Sequence, residues 1–287
     1  MQYAEHRIAT VDGLTLYARD YAAQGDVRGL PVLCLHGLTR NSADFEDVAP
    51  KIAALGRRVI VIDMRGRGLS EYDPDPARYR ADVYVGDTLA VLDALAIPRA
   101  VFLGTSMGGI VTMLAATTAR ERIAASILND VGPEIDPAGV ARISSYVGKA
   151  GPFESWEQTV AGVRLAQQFC FPDRDENFWQ SFARRVTREL SGGRFAYAYD
   201  PAIALAFAAP PASPPPSMLP LFEALAVVPV LLVRGALSDL LSLQGVATMK
   251  RVKPDLAYAE VSNVGHAPLL NEPEAWNGIA SFLARAA

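Results

Sequence analysis

The hydrophobic positions of this chain form short, solidly apolar runs that polar or turn-forming residues bound on either side. Continuous runs of Val, Ile and Leu, separated by amphipathic segments of helix length, are typical of parallel strands that helices bury on both faces. An earlier run, 14–21, alternates between apolar and polar residues and predicts an antiparallel strand at the start of the sheet. The buried strands are predicted at 32–35, 59–62, 101–103, 126–128, 230–233 and 258–261. The pattern therefore predicts an α/β fold built on one mostly parallel sheet.

The pattern changes in the middle of the chain. Residues 133–217 have helical periodicity without buried-strand runs, and they carry half of the chain's aromatic residues. The strand at 230–233 then resumes the sheet, so the sequence predicts a core formed by 1–132 and 218–287 with a helical cap inserted between them. The proline-rich run 210–216 predicts a stiff connector at the end of the cap. The cap aromatics either form the apolar wall of a substrate pocket or pack into the cap's own small core, and both can hold at once.

Composition and charge narrow the class of partner. With 287 residues, 51% of them hydrophobic and 20% charged, the chain has enough apolar material for a large core. A net charge of −4 without a cluster of Lys and Arg argues against nucleic acid as a partner. The two cysteines, Cys34 and Cys170, lie far apart, so neither a disulfide framework nor a cysteine-based zinc site is expected. Since no leader-like segment and no membrane-length apolar stretch is found, we expect a cytoplasmic protein without a membrane partner.

A candidate nucleophile lies at a predicted turn between a strand and a helix. Residues 104–108 (GTSMG) directly follow the strand at 101–103 and precede a helix-like run. This spacing suits a serine on a sharp turn, because the strained backbone leaves room only for small residues two positions to either side. The Met107 N–H, at the start of the helix, would face a developing oxyanion, and the Leu38 N–H is our choice for the second donor. The context favours a catalytic Ser106 over a glycine-rich turn that contains serine by chance.

Serine needs a base, and the chain has three histidines. His6 precedes the sheet pattern and is expected at the surface, while His36 ends a strand, where it would shape the turn rather than titrate. His266 lies on a loop after the last predicted strand. Because the carboxyl ends of parallel strands share one edge of a sheet, His266 can meet Ser106 there. The predicted base is therefore His266.

Two carboxylates compete to hold the second ring nitrogen of His266. Asp239 follows the strand at 230–233, and Asp130 follows the strand at 126–128. The chain order of serine, aspartate and histidine holds for either residue, so order does not decide between them. We favour Asp239 as the acid and interpret Asp130 as a structural or pocket-lining carboxylate beside the cap.

Several motifs of the chain together indicate a resemblance to a known protein family. They are His36-Gly37, 63–70 (DMRGRGLS), 104–109 (GTSMGG), Arg234-Gly235 with Asp239, and 265–268 (GHAP) with 272–274 (EPE). With these motifs the chain resembles the α/β-hydrolase family over nearly its whole length. The resemblance implies an eight-stranded, mostly parallel sheet with helices on both faces and a helical cap after the sixth strand. It also implies nucleophile Ser106, base His266, acid Asp239 and oxyanion donors at Leu38 and Met107, with 63–70 as a structural turn.

The candidate chemistry is acyl transfer, because serine, histidine and aspartate with two N–H donors stabilise a tetrahedral intermediate. We expect hydrolysis of a carboxylic ester or lactone through an acyl-enzyme, on a small-molecule substrate and with neither a metal nor an organic cofactor. The aromatic content of the cap favours a small hydrophobic or aromatic substrate. The aromatics considered are Trp156, Phe169, Phe171, Phe178 and Trp179.

Three alternatives stay open at this point. Hydrolysis of a carbon–carbon bond in a vinylogous diketone would use the same triad, but enzymes of that type usually carry Asn before the nucleophile, where this chain has Thr105. They also usually carry a glycine-rich loop where this chain has 38–41 (LTRN). A cofactor-free perhydrolase shares the triad, and a small-molecule receptor of the same fold would bind without sustained turnover. The sequence indicates neither the substrate nor the oligomeric state.

Overall fold

The computed structural model describes residues 2–207 and 217–286, and a sheet of eight strands lies at its centre. The strands, including two that form a separate hairpin, are β1 (Ala4–Ala9), β2 (Thr15–Tyr21), β3 (Val32–Leu35), β4 (Val59–Asp63), β5 (Ala100–Thr105), β6 (Ile123–Asn129), β7 (Thr187–Glu189), β8 (Phe195–Tyr197), β9 (Val230–Gly235) and β10 (Ala257–Val261). The order in the sheet is β1-β2-β4-β3-β5-β6-β9-β10. Within this eight-stranded sheet, only the β1–β2 and β2–β4 pairs are antiparallel. The predicted fold class is confirmed.

Helices cover both faces of this sheet. They are α1 (Val48–Ala54), α2 (Ala81–Ala94), α3 (Met107–Thr118), α4 (Pro137–Tyr146), α5 (Trp156–Gln167), α6 (Glu176–Val186), α7 (Leu219–Leu225), α8 (Leu243–Val252) and α9 (Pro273–Leu283). Neighbouring side chains of a strand point to opposite faces, so Leu33 and Leu35 pack with α2, α3, α7 and α8, while Val32 and Cys34 pack with α1 and α9. Both faces are therefore apolar, as the solid hydrophobic runs indicated. Within 2–207 and 217–286, no helix is long and apolar enough to cross a membrane.

The antiparallel edge of the sheet contains one strand that the sequence pattern does not reveal. The alternating run 14–21 forms β2, as predicted, but β1 precedes it and pairs with it in full register. Of the six residues of β1 only Ile8 is buried. A strand at a sheet edge with one buried side chain leaves no hydrophobic signal, so β1 could not be recognised from its own residues.

The segment between β6 and α7 contains helices and a hairpin. Helices α4, α5 and α6 follow one another, and β7 then pairs antiparallel with β8. The sequence predicted helices alone, because strands of three residues are too short to produce a periodic pattern. The predicted proline-rich connector at 210–216 lies outside the described residues.

The loop after β4 is braced by buried charges. Arg65 is 1% exposed, and its guanidinium pairs with three carboxylates, those of Asp12 (2.9 Å), Asp73 (2.5 Å) and Asp87 (2.5 Å). The neighbouring Asp63 accepts hydrogen bonds from the backbone N–H groups of Ser42 and Leu69. These contacts are those of a structural turn, which is the role that the motif at 63–70 suggested.

Candidate active site

Ser106 lies on a sharp turn between β5 and α3. Its φ of 50° and ψ of −112° place it in the left-handed region that side chains other than glycine rarely adopt. Two glycines make the turn possible by close backbone approach. A Cβ on Gly104 would lie 2.4 Å from the Gly108 carbonyl oxygen, and a Cβ on Gly108 would lie 2.2 Å from the Leu35 carbonyl oxygen. The G-x-S-x-G spacing therefore has a steric cause in this fold.

His266 links the serine to a buried carboxylate. Its Nε2 lies 2.8 Å from the Ser106 Oγ, and its Nδ1 lies 2.8 Å from the Asp130 Oδ2. Asp130 is fully buried and His266 is 8% exposed. Serine, histidine and aspartate thus form one continuous chain of hydrogen bonds. In such a chain the third group orients the ring of the base toward the nucleophile.

Asp130 is held for this contact by the residues that follow β9. Its backbone has a φ of 56°, which turns the side chain away from the direction of β6. The Gly235 N–H donates to the Asp130 Oδ1 over 3.0 Å, and the Ser238 hydroxyl donates to the Oδ2 over 2.6 Å. These two donors fix the position of the Asp130 carboxylate beside the His266 ring.

The structure corrects the choice of acid. Asp239 makes no hydrogen bond to His266; both of its oxygens accept from the Arg142 guanidinium, over 2.6 and 2.8 Å. Burial alone would raise the Asp239 pKa, but the hydrogen bonds and charge of Arg142 outweigh it and hold that pKa below its usual range. Asp130 directly follows its strand, whereas Asp239 lies four residues beyond β9 and turns outward to α4. The preceding Ser238, rather than Asp239 itself, contacts the carboxylate that holds His266.

The two predicted oxyanion donors lie beside Ser106. Met107 is the first residue of α3, and Leu38 lines a cavity together with Ser106 and His266. The loop that contains Gly37 and Leu38 approaches Ser106 closely, because a Cβ on Gly37 would lie 3.8 Å from the Ser106 Cβ. Within the described residues, neither the Leu38 nor the Met107 N–H donates to a protein acceptor. Both N–H groups are free to bind an oxygen of a substrate.

Of the other two histidines, His36 shapes a turn as the sequence indicated, whereas His6, expected at the surface, is partly buried. His36 is fully buried, and burial lowers its pKa to about 3, so the ring is neutral. Its Nε2 accepts the Met64 N–H over 3.0 Å, which leaves Nδ1 to donate to the Gly37 carbonyl over 2.7 Å. This ring fixes the start of the loop that carries Leu38. His6 pairs with Asp20 at the antiparallel edge of the sheet.

The cavity at Ser106 is small and its walls are largely polar. It measures about 40 Å³, and the segment 133–217 contributes Ile143, Tyr146 and Gln167 to its lining. A second, smaller cavity shares Arg40 with it, along with Thr39, Tyr146 and Gln167. A volume of 40 Å³ is space for only one or two water molecules.

The aromatics that the sequence assigned to a pocket wall pack elsewhere. None of the five, Trp156, Phe169, Phe171, Phe178 and Trp179, lines the cavity at Ser106. Phe171, Phe178 and Trp179 contact one another or Phe182 at ring-centre distances of 5.1 to 6.2 Å. The buried rings belong to the same hydrophobic cluster as the sheet face that α1 and α9 cover. Other aromatics of 133–217 do line the two cavities, namely Tyr146, Phe182, Tyr197 and Tyr199. Each of the two interpretations therefore holds in part.

A family model for the α/β hydrolase fold matches residues 31–273 of the chain. The chain is an α/β hydrolase. A crystal structure of an α/β hydrolase from Novosphingobium aromaticivorans is 42% identical to this hydrolase, covers 99% of each chain and superposes with a TM-score of 0.91. The 3-hydroxybutyrate-oligomer hydrolase of Cupriavidus necator is 33% identical over 266 residues, 90% of each chain. The 2-(acetamidomethylene)succinate hydrolase of Mesorhizobium japonicum is 25% identical over 240 residues, 82% of this chain and 81% of that one.

Some residues of this hydrolase's site escaped the sequence analysis. Ser238 supports Asp130, and Asn129 donates to the Pro268 carbonyl over 2.8 Å, which ties the His266 loop to the end of β6. Each is a common polar residue with no motif of its own. The feature of the sequence that could have identified them is their position relative to the strands. Asn129 ends β6, and Ser238 lies three residues beyond β9.

Proposed function

We propose that this hydrolase cleaves carboxylic esters through an acyl-enzyme, with Ser106 as nucleophile, His266 as base and Asp130 as acid. The observation that carries the proposal is the continuous hydrogen-bond chain from the Ser106 Oγ through His266 to Asp130, with 2.8 Å at both steps. The relative from Cupriavidus necator, whose name describes hydrolysis of hydroxybutyrate oligomers, supports an ester as the bond cleaved.

The reaction follows from the positions of the protons. As the Ser106 Oγ attacks the ester carbonyl carbon, His266 takes the hydroxyl proton at Nε2, and Asp130 stabilises the imidazolium through Nδ1. The Leu38 and Met107 N–H groups would bind the oxygen that becomes negative. His266 then returns the proton to the leaving alcohol as the carbon–oxygen bond breaks. Water, activated by the same histidine, attacks the acyl-enzyme and releases the acid.

The test of this function is a panel of esters with trapping of the acyl-enzyme. We expect steady turnover of short esters or lactones, together with an acyl adduct on Ser106 in rapidly quenched samples examined by peptide mass spectrometry. Ser106→Ala should give no adduct and only the spontaneous rate. A vinylogous diketone in the same panel tests carbon–carbon hydrolysis, and binding without sustained turnover would instead indicate a receptor. Turnover that persists in Ser106→Ala would contradict the covalent mechanism.

The cavity favours a short ester that carries an acidic or polar end, in place of the hydrophobic or aromatic substrate that the sequence suggested. Arg40 lines both cavities, and it pairs with Asp44 over 2.9 Å and contacts Gln167 at 3.4 Å. The Tyr197 hydroxyl, beside the smaller cavity, is buried and has no hydrogen-bond partner within the described residues. Burial raises the pKa of Tyr197, so its hydroxyl stays protonated and available as a donor. Arg40 and Tyr197 together suit a carboxylate.

Arg40→Met tests this preference. Because a hydrogen bond to a charged group contributes about 1.5–3 kcal/mol, we expect KM for a hydroxybutyrate dimer with a free carboxylate to rise about 10- to 150-fold. KM for the methyl ester of the same dimer should change less than about threefold, since it lacks the charge. Arg164→Met, on an exposed part of α5 that lines neither cavity, is the matched control. An equal loss with both dimers would contradict recognition of the carboxylate.

A further inference from the structure

We propose that Arg67 is a positioning residue that holds both oxyanion donors and supplies a fixed positive charge beside them. The inference rests on the proposed ester hydrolysis. Arg67 is 0% exposed and lies in the loop after β4, between the two residues whose N–H groups would bind the oxyanion. Nothing in its sequence context distinguishes it from the neighbouring Arg65.

The guanidinium contacts both donor residues at once. Its Nε donates to the Leu38 carbonyl over 3.0 Å, and its Nη2 lies 3.6 Å from the Met107 Sδ. The bond to the Leu38 carbonyl anchors the backbone of the loop whose N–H would face the oxyanion. Arg67 thus restrains the oxyanion loop on one side of Ser106 and the first turn of α3 on the other.

The guanidinium is itself held in place by uncharged groups. Its Nη1 donates to the Arg65 carbonyl and to the Tyr84 hydroxyl, both over 2.7 Å. The rings of Tyr79 and Tyr84 lie 5.5 and 4.9 Å from its central carbon, a distance at which aromatic faces stabilise a cation. Every edge of the group is therefore in contact with oxygen, sulfur or an aromatic ring.

Arg67 differs from Arg65 in its charge balance. Arg65 pairs with three carboxylates, whereas Arg67 forms no ion pair in the part of the chain that the structure describes. A buried cation without an anion costs free energy, and a structural role would be filled at lower cost by an apolar side chain. The guanidinium lies behind Leu38 and Met107 and does not line the cavity at Ser106. Its cost would be offset when negative charge develops at the two N–H donors, as it does in the tetrahedral intermediate.

The test compares Arg67→Lys and Arg67→Met on one good ester. We expect kcat to fall about 10- to 100-fold for lysine, which keeps the charge, and about 10²- to 10³-fold for methionine, which loses it, with KM within threefold. Affinity for a trifluoromethyl ketone, which forms a tetrahedral oxyanion on Ser106, should fall by the same factor as kcat/KM. Affinity for the alcohol product, which forms no oxyanion, should not change.

Two further variants keep the result interpretable. Arg58→Met removes a half-buried arginine that pairs with Asp20 at the start of β4, the end of that strand opposite to the loop of Arg67, and it should leave kcat and ketone affinity unchanged. If Arg67→Met does not fold, Tyr84→Phe removes one bond to the guanidinium and should lower kcat and ketone affinity together, by a few fold. A kcat within threefold of the wild type in both Arg67 variants, or unchanged ketone affinity, would overturn the inference. A wild-type protein that neither binds the ketone nor turns over esters would instead refute the proposed function.

Discussion

Asp130→Asn should lower kcat/KM for ester hydrolysis by about 10⁴, whereas Asp239→Asn should change it less than about tenfold. Asparagine keeps the size of aspartate, but it removes the charge that stabilises the imidazolium and allows the wrong His266 tautomer. Asp130 contacts the His266 Nδ1 at 2.8 Å, whereas both oxygens of Asp239 accept hydrogen bonds from Arg142. Steady-state kinetics on one ester, with equal amounts of folded enzyme verified by circular dichroism, measures the difference.

The two replacements serve as controls for each other, because they make the same chemical change on neighbouring loops. Asp239→Asn weakens the contact between the loop after β9 and α4, so we expect a lower melting temperature with little loss of rate. If Asp239→Asn instead lost several orders of magnitude while Asp130→Asn stayed near the wild-type rate, the assignment from the hydrogen-bond geometry would be wrong.

Arg65→Met should lower the free energy of unfolding by about 3–5 kcal/mol, because it leaves buried carboxylates without a counter-charge. Asp73 and Asp87 are 4% and 2% exposed, so water cannot replace the guanidinium. Urea denaturation followed by tryptophan fluorescence measures the loss. Arg78→Met is the matched control, since Arg78 is about half exposed and also pairs with Asp12, and it should cost at most about 1 kcal/mol.

A loss below 1 kcal/mol in Arg65→Met would show that the three carboxylates do not depend on this arginine. If the variant does not accumulate as folded protein, Arg65→Met combined with Asp73→Leu and Asp87→Leu should recover much of the stability. Replacing a whole buried ionic group with apolar side chains is often neutral or better, whereas removal of one partner is costly.

The sequence allowed the fold to be predicted where burial is complete. Strands such as β4 and β9 are apolar at nearly every position because helices cover both faces, and that pattern is visible in the residues themselves. The edge strand β1 and the hairpin of β7 and β8 have few buried side chains, although each pairs with its neighbour in the chain. Without buried side chains at regular positions, these short strands leave no hydrophobic pattern in the sequence.

The candidate site could be predicted in part, where a residue has a steric requirement or a fixed place in the fold. Ser106 has a steric requirement for glycine at 104 and 108, which leaves a motif, and His266 needed only its place after the last strand. The choice between Asp130 and Asp239 depends on a left-handed backbone at Asp130 and on Arg142 as a competing partner for Asp239. Neither feature has a signature in sequence order, so the choice required three-dimensional geometry.

The distribution of the site along the chain has a consequence for synthesis. Ser106 and Asp130 emerge from the ribosome early, but the Gly235 N–H that holds Asp130 follows 105 residues later and His266 follows 136 residues later. Between them lies the segment 133–217, which contributes to the cavity lining, and the edge of β6 that pairs with β9 is unpaired until β9 has been made. A nascent chain or a prematurely terminated fragment therefore has Ser106 without His266. On the proposed mechanism, hydrolytic activity arises only when nearly the entire polypeptide has been made and the late strands have joined the sheet.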